Sequence, residues 1–378
     1  MKDTRPAILH VLTDRAFGGA LSWLFCMLSE ADHDRFRYGV ILPEGSEAAR
    51  KLAALPVIVI ALPIKERSWS PADLWKLRRA IAAFDPDIVQ THGSLSARMA
   101  GLFAAPRAFL LLTKHCVFSS PRSRHPYFAR CLNLCIRPFT HAAIATAECA
   151  KRMLVREGMK NACILTVPNG AQPLTPPTAR KTQELQKKLG LDACLTVGFC
   201  GRLEQEKNPR FLLALARELA DRELTFRILV IGDGTQRRTL AARAAKMGLA
   251  DRLCFVGYAK DVAPYLTLCD VQINCSLLSE TSNMALLEGF SLGIPAVASS
   301  LDGNRETVIH GKNGFIYPKG DVRACADLVC RLAADNPLRQ KLSLGARRVY
   351  DSCFRAALMA RRCEVFYTAL TRHSSKKH

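Results

Sequence analysis

The stretch VQINCSLLSETSNMALLEGFSLGIPAVASS, Val271–Ser300, sets the terms on which the chain is read. It opens on a short apolar run that fits a strand and passes into a polar loop. An apolar-periodic segment begins near Asn283, and Thr281, Ser282 and Asn283 are residue types that cap a helix start. Gly293-Ile294-Pro295 then ends the helix and feeds a second strand, AVASS. Strand, helix and strand in this order build a parallel sheet covered by helices. Two glutamates stand eight positions apart, Glu280 in the loop and Glu288 on the apolar helix. A carboxylate among apolar residues is costly without a partner. Glu288 therefore needs one: a ribose diol, a nearby arginine or a backbone amide.

The same alternation runs along most of the chain. AILHVLT, YGVILP, PVIVIAL, DIVQTH, AFLLLTKH, AAIATA and ILTVPNG fit strands. Between them lie helical segments such as Ala20–Glu30, Pro71–Phe84 and a long helix through Leu132. AQPLTPPTARKTQE (Ala171–Glu184) has three prolines and no apolar period, which predicts an interdomain connection. After it come LTVGFCGRL, RILVIGDG, LCFVGY, VQINCS and PAVASS, and then a segment from about Arg339 to Thr371 that is expected to be helical throughout. The expected layout is a first α/β domain over residues 1–172, a linker over 173–189, a second α/β domain over 190–350 and a C-terminal helix over 351–372.

At 378 residues, with 49% hydrophobic residues, the chain can fill two cores. No run is long and apolar enough for a membrane-spanning helix. The N-terminus has no basic region followed by an apolar core and a cleavage site, so no secretory signal is expected. Fifteen scattered cysteines without a C-x-x-C pair predict reduced, buried thiols in a cytosolic protein, with Cys131 and Cys135 on one helix face. They supply no clustered ligand set for zinc. The net charge of +21 predicts attraction to an anionic partner. No acidic residue occurs between Asp87 and Glu148, a window holding Arg98, Arg107, Lys114, Arg122, Arg124, Arg130 and Arg137. It is either a solvated basic face or a patch for anionic lipid or a phosphate-bearing acceptor.

Ligands in open parallel sheets sit beyond the carboxyl ends of the strands. Four connections there stand out. Gly18-Gly19 can let backbone N–H groups approach an anion at a helix start, although a tight turn explains the pair equally well. GRLEQEKNP (Gly201–Pro209) carries Arg202 and Lys207 on one loop, where two cations can neutralise a departing diphosphate or simply pair with Glu204 and Glu206. Gly232-Asp233-Gly234 follows RILVI, and the Glu280 loop follows VQINCS.

Taken together, E-x7-E at Glu280 and Glu288, GIPAVAS, ETVIHGKNGFIY (Glu306–Tyr317), GRLEQEKNP, VIGDGTQRRTL and VPNG resemble family 4 of the retaining glycosyltransferases. The resemblance covers nearly the whole chain and is densest from Val197 to Gly320. It implies the GT-B fold, two Rossmann-like domains whose parallel sheets face across a cleft. It implies that Arg202 and Lys207 bind the donor diphosphate, Glu280 the transferred sugar and Glu288 the ribose. The segment Thr281, Ser282, Asn283 and Met284 would meet the donor phosphates, and Gly18 and Gly19 the donor phosphate or the acceptor. His92 would lie near the reacting sugar and His115 on the acceptor side. The implied donor is a nucleotide diphosphate sugar, with no metal and no other cofactor. The implied acceptor is a glycan or lipid-linked hydroxyl in envelope polysaccharide or lipopolysaccharide synthesis. The implied place is the cytoplasm, or peripherally the cytoplasmic face of the inner membrane. Where many members carry Glu-Gly-Phe-Gly, this chain has Glu280-Thr281-Ser282-Asn283, which leaves the donor sugar open. The alternatives are a nucleotide-sugar epimerase of the same fold and, more remotely, a basic nucleic-acid-binding protein. The latter predicts aromatic-rich basic strands or a helix-turn-helix, and neither is found in a chain with 7% aromatics.

Overall fold

The structure, a computed structural model, describes residues 3–13, 18–65, 70–93, 95–115, 131, 134–135, 137–191, 194–278, 281 and 283–374. The chain forms two compact units: Met1–Gly170 with Ala356–His378, and Ala171–Arg355.

The first unit is built on seven parallel strands, β1 (Ala7–Val11), β2 (Arg37–Pro43), β3 (Ile58–Leu62), β4 (Ile88–His92), β5 (Phe109–Lys114), β6 (Ala142–Ala145) and β7 (Ile164–Thr166). Their order across the sheet is β3-β2-β1-β4-β5-β6-β7. β1 and β4 are buried along their whole length. A strand covered on both faces reads as a continuous apolar run rather than an alternation, and AILHV is one. The helix Pro71–Phe84 shows how the flanking layer forms. Pro71 opens it, and the Ser70 hydroxyl accepts from the Asp73 N–H at 3.1 Å. Leu77, Ile81 and Phe84 then fall on one face and are buried beside Leu9, Val11 and Val89, each contributing roughly 1.5–3 kcal/mol.

The last helix, Ala356–Ser374, belongs to this unit although it follows the second unit in the chain. Its Glu364 carboxylate accepts from the Asp32 N–H at 2.6 Å and from the Tyr38 hydroxyl at 3.1 Å. The Tyr367 hydroxyl donates to Gln90 Oε1 at 2.5 Å.

The second unit carries six parallel strands, β8 (Leu195–Cys200), β9 (Phe226–Ile231), β10 (Leu253–Gly257), β11 (Val271–Asn274), β12 (Ala296–Ser299) and β13 (Gly314–Tyr317). Their order is β10-β9-β8-β11-β12-β13. Val197, Phe199, Phe211, Leu215, Leu219, Phe226 and Val230 share its main core.

Three local expectations are corrected. The segment Arg339–Thr371 is not one helix. The helix Asn336–Val349 passes into a wider, π-type turn at Tyr350–Phe354, and Arg355 is extended before the final helix starts. Ala171 causes the break: its N–H donates to Phe354 O at 2.9 Å, and its carbonyl accepts from the Tyr350 hydroxyl at 2.8 Å. The proline-rich connection contains a helix, Ala179–Lys188, which buries no residue and so has no apolar period to reveal it. Cys131 and Cys135 are exposed, unlike the buried thiols expected of the chain at large. The long helix expected before Leu132 lies mostly outside the described residues, as does Leu132.

One glycine fixes how the strand-end loops of the second unit stack. Gly232 has φ +134°, and a Cβ there would lie on the Gly201 carbonyl. The β8 and β9 loops thus touch backbone to backbone. Gly232→Ala is expected to lower stability by about 3 kcal/mol through strain and overpacking, read as a fall in the urea midpoint.

Candidate active site

In each sheet the strand order reverses once, between β1 and β4 and between β8 and β11. The crevice beyond the carboxyl ends of such strands is where ligands of open α/β sheets bind. The sequence-derived site residues fall on loops that leave these strands or their neighbours. Gly18 and Gly19 follow β1, His92 ends β4 and His115 follows β5. Arg202 and Lys207 follow β8, and the Glu280 loop follows β11.

In the second unit the two loops are tied together. The Leu277 N–H donates to Glu206 O at 3.3 Å, and the Cys275 thiol donates to Lys207 O at 3.4 Å. Between them lies a short 3-10 turn, Gln205–Lys207, closed by Asn208 at φ +52°. Glu204 points the other way and grips the β9 loop, accepting from Thr235 N–H at 2.8 Å and from its hydroxyl at 2.7 Å. These two bonds from Thr235, helped by Arg202, lower the Glu204 pKa. Arg202 pairs with Glu206 at 2.6 Å while its side chain stays 64% exposed. An ion pair this open contributes about 0–1 kcal/mol, so an incoming diphosphate can displace it.

Asn283 caps the helix Met284–Ser291, its side chain accepting from Ala285 N–H at 3.0 Å. The Asn283 carbonyl also accepts from Leu286 N–H. Two first-turn donors that the sequence reading left for a ligand are therefore already taken. Thr281 is buried, while Glu280 and Ser282 lie outside the described residues.

Glu288 stands one turn further on, half-buried, with no ion pair or hydrogen-bond partner to its carboxylate among the described residues. Burial pushes its pKa from 4.5 up to about 7. Burial also raises the Cys200 thiol to about 12. Glu288 adds to that rise and Lys207 opposes it, which places both charges around one sulfur.

Beneath these loops lies a polar knot the sequence did not reveal. Asn304 Nδ2 donates to Ser299 O at 2.9 Å and to Asn274 Oδ1 at 3.2 Å, and Asn274 Oδ1 also accepts from Ser276 N–H at 3.1 Å. It holds the strand ends of β11 and β12 in place. A hollow of about 510 Å³ lies further along, lined by Ser300, Arg305, His310 and Tyr317 among others. None of the sequence-derived site residues among those described lines it.

In the first unit His92 and His115 do come together, with His92 Nδ1 and His115 Nε2 2.9 Å apart. The sequence reading missed the third member: His10 Nδ1 stands 3.1 Å from His92 Nε2. Trp23, fully buried on the Gly19–Ser29 helix, packs against both His92 and His115. Burial lowers the pKa of all three imidazoles, and for His92 the other two add to the effect. The row is neutral at pH 7. No signal in AILHV distinguishes His10 from a packed core residue.

Two parallel sheets in this order, one bearing two cations and a helix acid near its switch point, define an α/β protein of two Rossmann-like domains. Residues 17–173 match the model of Glycosyltransferase Family 4, and residues 194–335 match that of the glycosyl transferases group 1. The chain belongs to the family 4 glycosyltransferases and has the GT-B fold. The 2-deoxystreptamine glucosyltransferase of Streptomyces kanamyceticus is 27% identical over 303 residues, 75% of this chain and 78% of the relative. The lipopolysaccharide core biosynthesis glycosyltransferase LpsE of Rhizobium meliloti is 31% identical over 114 residues, 30% of this chain and 33% of the relative. Among solved structures, Anabaena HepE in complex with UDP matches with a TM-score of 0.83 over 96% of this chain and 100% of the other, at 18% identity. The epimerase alternative finds no support among these relatives.

A folded-state pKa of about 7 means that the native protein holds a proton on Glu288 that the unfolded chain releases above 4.5. Stability is fullest below that window and falls as pH rises through it. Glu288→Gln is therefore expected to be the more stable protein at pH 8, by on the order of 3 kcal/mol. The advantage should vanish near pH 4, as denaturant melts at the two pH values would show.

Proposed function

We propose that this chain transfers a sugar, with retention, from a nucleotide diphosphate sugar to a hydroxyl of a glycan or lipid-linked acceptor in cell-envelope polysaccharide or lipopolysaccharide synthesis. The observation that carries the donor half is the joining of the Arg202–Lys207 loop to the loop that leads into the Glu288 helix. In this reading Arg202 and Lys207 bind the diphosphate, together with backbone N–H groups of the segment Thr281, Ser282, Asn283 and Met284. Glu288 accepts from the ribose diol and Glu280 from the hydroxyls of the transferred sugar. Gly18 and Gly19 let backbone approach the donor phosphate or the acceptor.

The acceptor hydroxyl attacks the anomeric carbon on the face the diphosphate leaves. The acceptor's proton passes to the departing diphosphate oxygen, so no enzyme nucleophile and no protein base is needed. The groups that matter are those stronger in the transition state than before it, the two cations facing growing phosphate charge. With that charge met by side chains, the reaction is proposed to need no metal and to persist in EDTA. His92 lies behind the reacting sugar and His115 on the acceptor side. Both ring nitrogens of His92 already face other imidazoles, so the outer nitrogen of the row belongs to His115.

Arg202→Ala and Lys207→Ala are each expected to lower kcat by about 100- to 1,000-fold, with folding unchanged by circular dichroism. UDP-sugars are the first donors to try, because a protein of the same fold holds UDP; GDP- and ADP-sugars complete the panel. Product formation undiminished in both variants would remove the diphosphate-binding role.

The acid-free window is proposed to rest on anionic lipid at the cytoplasmic face of the inner membrane. No helix among the described residues is long and apolar enough to cross a membrane. Phe103 is 62% exposed and Phe139 50% exposed in this basic window, an aromatic and cationic mixture suited to a headgroup layer. Binding to phosphatidylglycerol vesicles should be strong at low salt, fall with added salt, and weaken in Phe103→Ser combined with Arg107→Glu. No sedimentation with vesicles at low salt would end the proposal.

A further inference from the structure

The hollow beside Ser300, Arg305 and His310 belongs to no part of the site built above. It lies wholly within the second unit, where Ser300 follows β12 and Pro318 follows β13, and its volume is about 510 Å³. Val308, Ile309, Ile316, Tyr317 and Pro318 form its apolar wall. The Tyr317 hydroxyl is spent on Asn274 O, to which it donates at 3.2 Å, so this residue offers ring carbon. Ile309 is 44% exposed, apolar surface that a ligand in the hollow would take out of water.

Three side chains bring polar groups to this wall, and each brings a donor. A backbone N–H can only donate, so His310 Nδ1, 3.1 Å from Ile316 N, is an acceptor there. The neutral ring then carries its proton on Nε2. Phe315 meets that ring edge-on, with centroids 5.1 Å apart, and steadies its plane. Ser300 Oγ accepts from Lys319 N–H at 3.1 Å, which leaves its own proton to donate elsewhere. The Arg305 guanidinium is exposed and uses only Nε, at 3.4 Å to Ser300 O; Nη1 and Nη2 have no partner among the described residues. Asp302 and Glu306 share the helix Asp302–Thr307 with Arg305, yet neither lines the hollow. Lys319 adds a second positive charge at the rim.

We infer that this hollow is a second anion site, for a phosphate monoester whose organic part is apolar. The phosphate meets Arg305, His310 Nε2–H and the Ser300 hydroxyl, and the organic part lies against Ile309, Ile316 and Pro318. A cation finds no carboxylate in the wall. A carboxylate ligand has two oxygens for three donor side chains, whereas a phosphate monoester has three beyond its ester link. Its second charge suits the pair of cations, and hydrogen bonds between ionised partners are the strong ones. Arg202, Lys207 and Glu288 stand outside the hollow, so the site is separate from the donor site and does not rest on the transferase reading.

The test is calorimetric titration of the full chain with phenyl phosphate, which joins the two required parts in one small molecule. A dissociation constant of about 1 mM or lower is expected. Arg305→Gln should weaken binding at least about 10-fold, as the loss of a charge-assisted hydrogen bond does, and Ser300→Ala about 3-fold. Both variants should keep the circular dichroism of the wild type, since Arg305 is exposed and makes a single bond at 3.4 Å. Phenol, which lacks the anion, and inorganic phosphate, which lacks the ring, should each bind at least about 10-fold more weakly than phenyl phosphate. Saturating UDP should leave the phenyl phosphate affinity unchanged. No heat of binding at about 10 mM ligand, undiminished binding by Arg305→Gln, or displacement by UDP would each overturn the inference. So would a loss in Arg202→Ala equal to that in Arg305→Gln, because the ligand would then sit on the Arg202 loop. The readout is binding, so an absence of sugar transfer would count against the transferase reading alone.

Discussion

The constraint on which the rest depends is the single reversal of strand order in each sheet. A parallel sheet that grows outward in both directions from its first strand sends successive crossovers to opposite faces. At the point of reversal the neighbouring loops diverge and leave a crevice. In the first unit the reversal lies between β1 and β4, and in the second between β8 and β11. The chemistry-bearing side chains stand at or beside these two places because backbone there is neither paired nor covered. Their height above the sheet is then set by backbone contact, as where Gly232 lets the β8 and β9 loops meet.

Within the second unit acidic residues do as much shaping as the cations. Glu204 is spent on Thr235 and anchors the loop. Glu206 covers Arg202 in a solvent-exposed pair that a more highly charged anion can replace. Glu288 is left without a protein partner among the described residues and is raised to about 7. The three carboxylates thus differ in their surroundings: one clamps a neighbouring loop, one masks an exposed cation, and one is held at a cost to stability.

Much of this was legible in the sequence, for physical reasons. Strands buried on both faces leave apolar runs, and helices with one buried face leave a period, so β1 and Pro71–Phe84 could be located before any coordinates. The loop carrying Arg202 and Lys207 and the helix start at Asn283 were legible because loops and helix starts have strong residue preferences. Elements without a buried face were not: Ala179–Lys188 buries nothing and left no period. The break at Arg355 arises from Ala171, far away in sequence, and no local window contains both. His10 stayed hidden for the same reason, since its meaning comes from His92, 82 positions on.

The first unit is discontinuous: its closing helix, Ala356–Ser374, follows the whole of the second unit in the chain. Tyr38 and Gln90 wait for Glu364 and Tyr367 before their buried polar groups are matched. Domains usually fold as units, the N-terminal one first, while the ribosome is still working. Here that order is inverted: the second unit, unbroken in sequence, can finish before residues 356–374 are made, whereas the leading one stays incomplete until they are. A nascent chain stalled before residue 356 would carry an open, unfinished N-terminal sheet and be a natural client for chaperones.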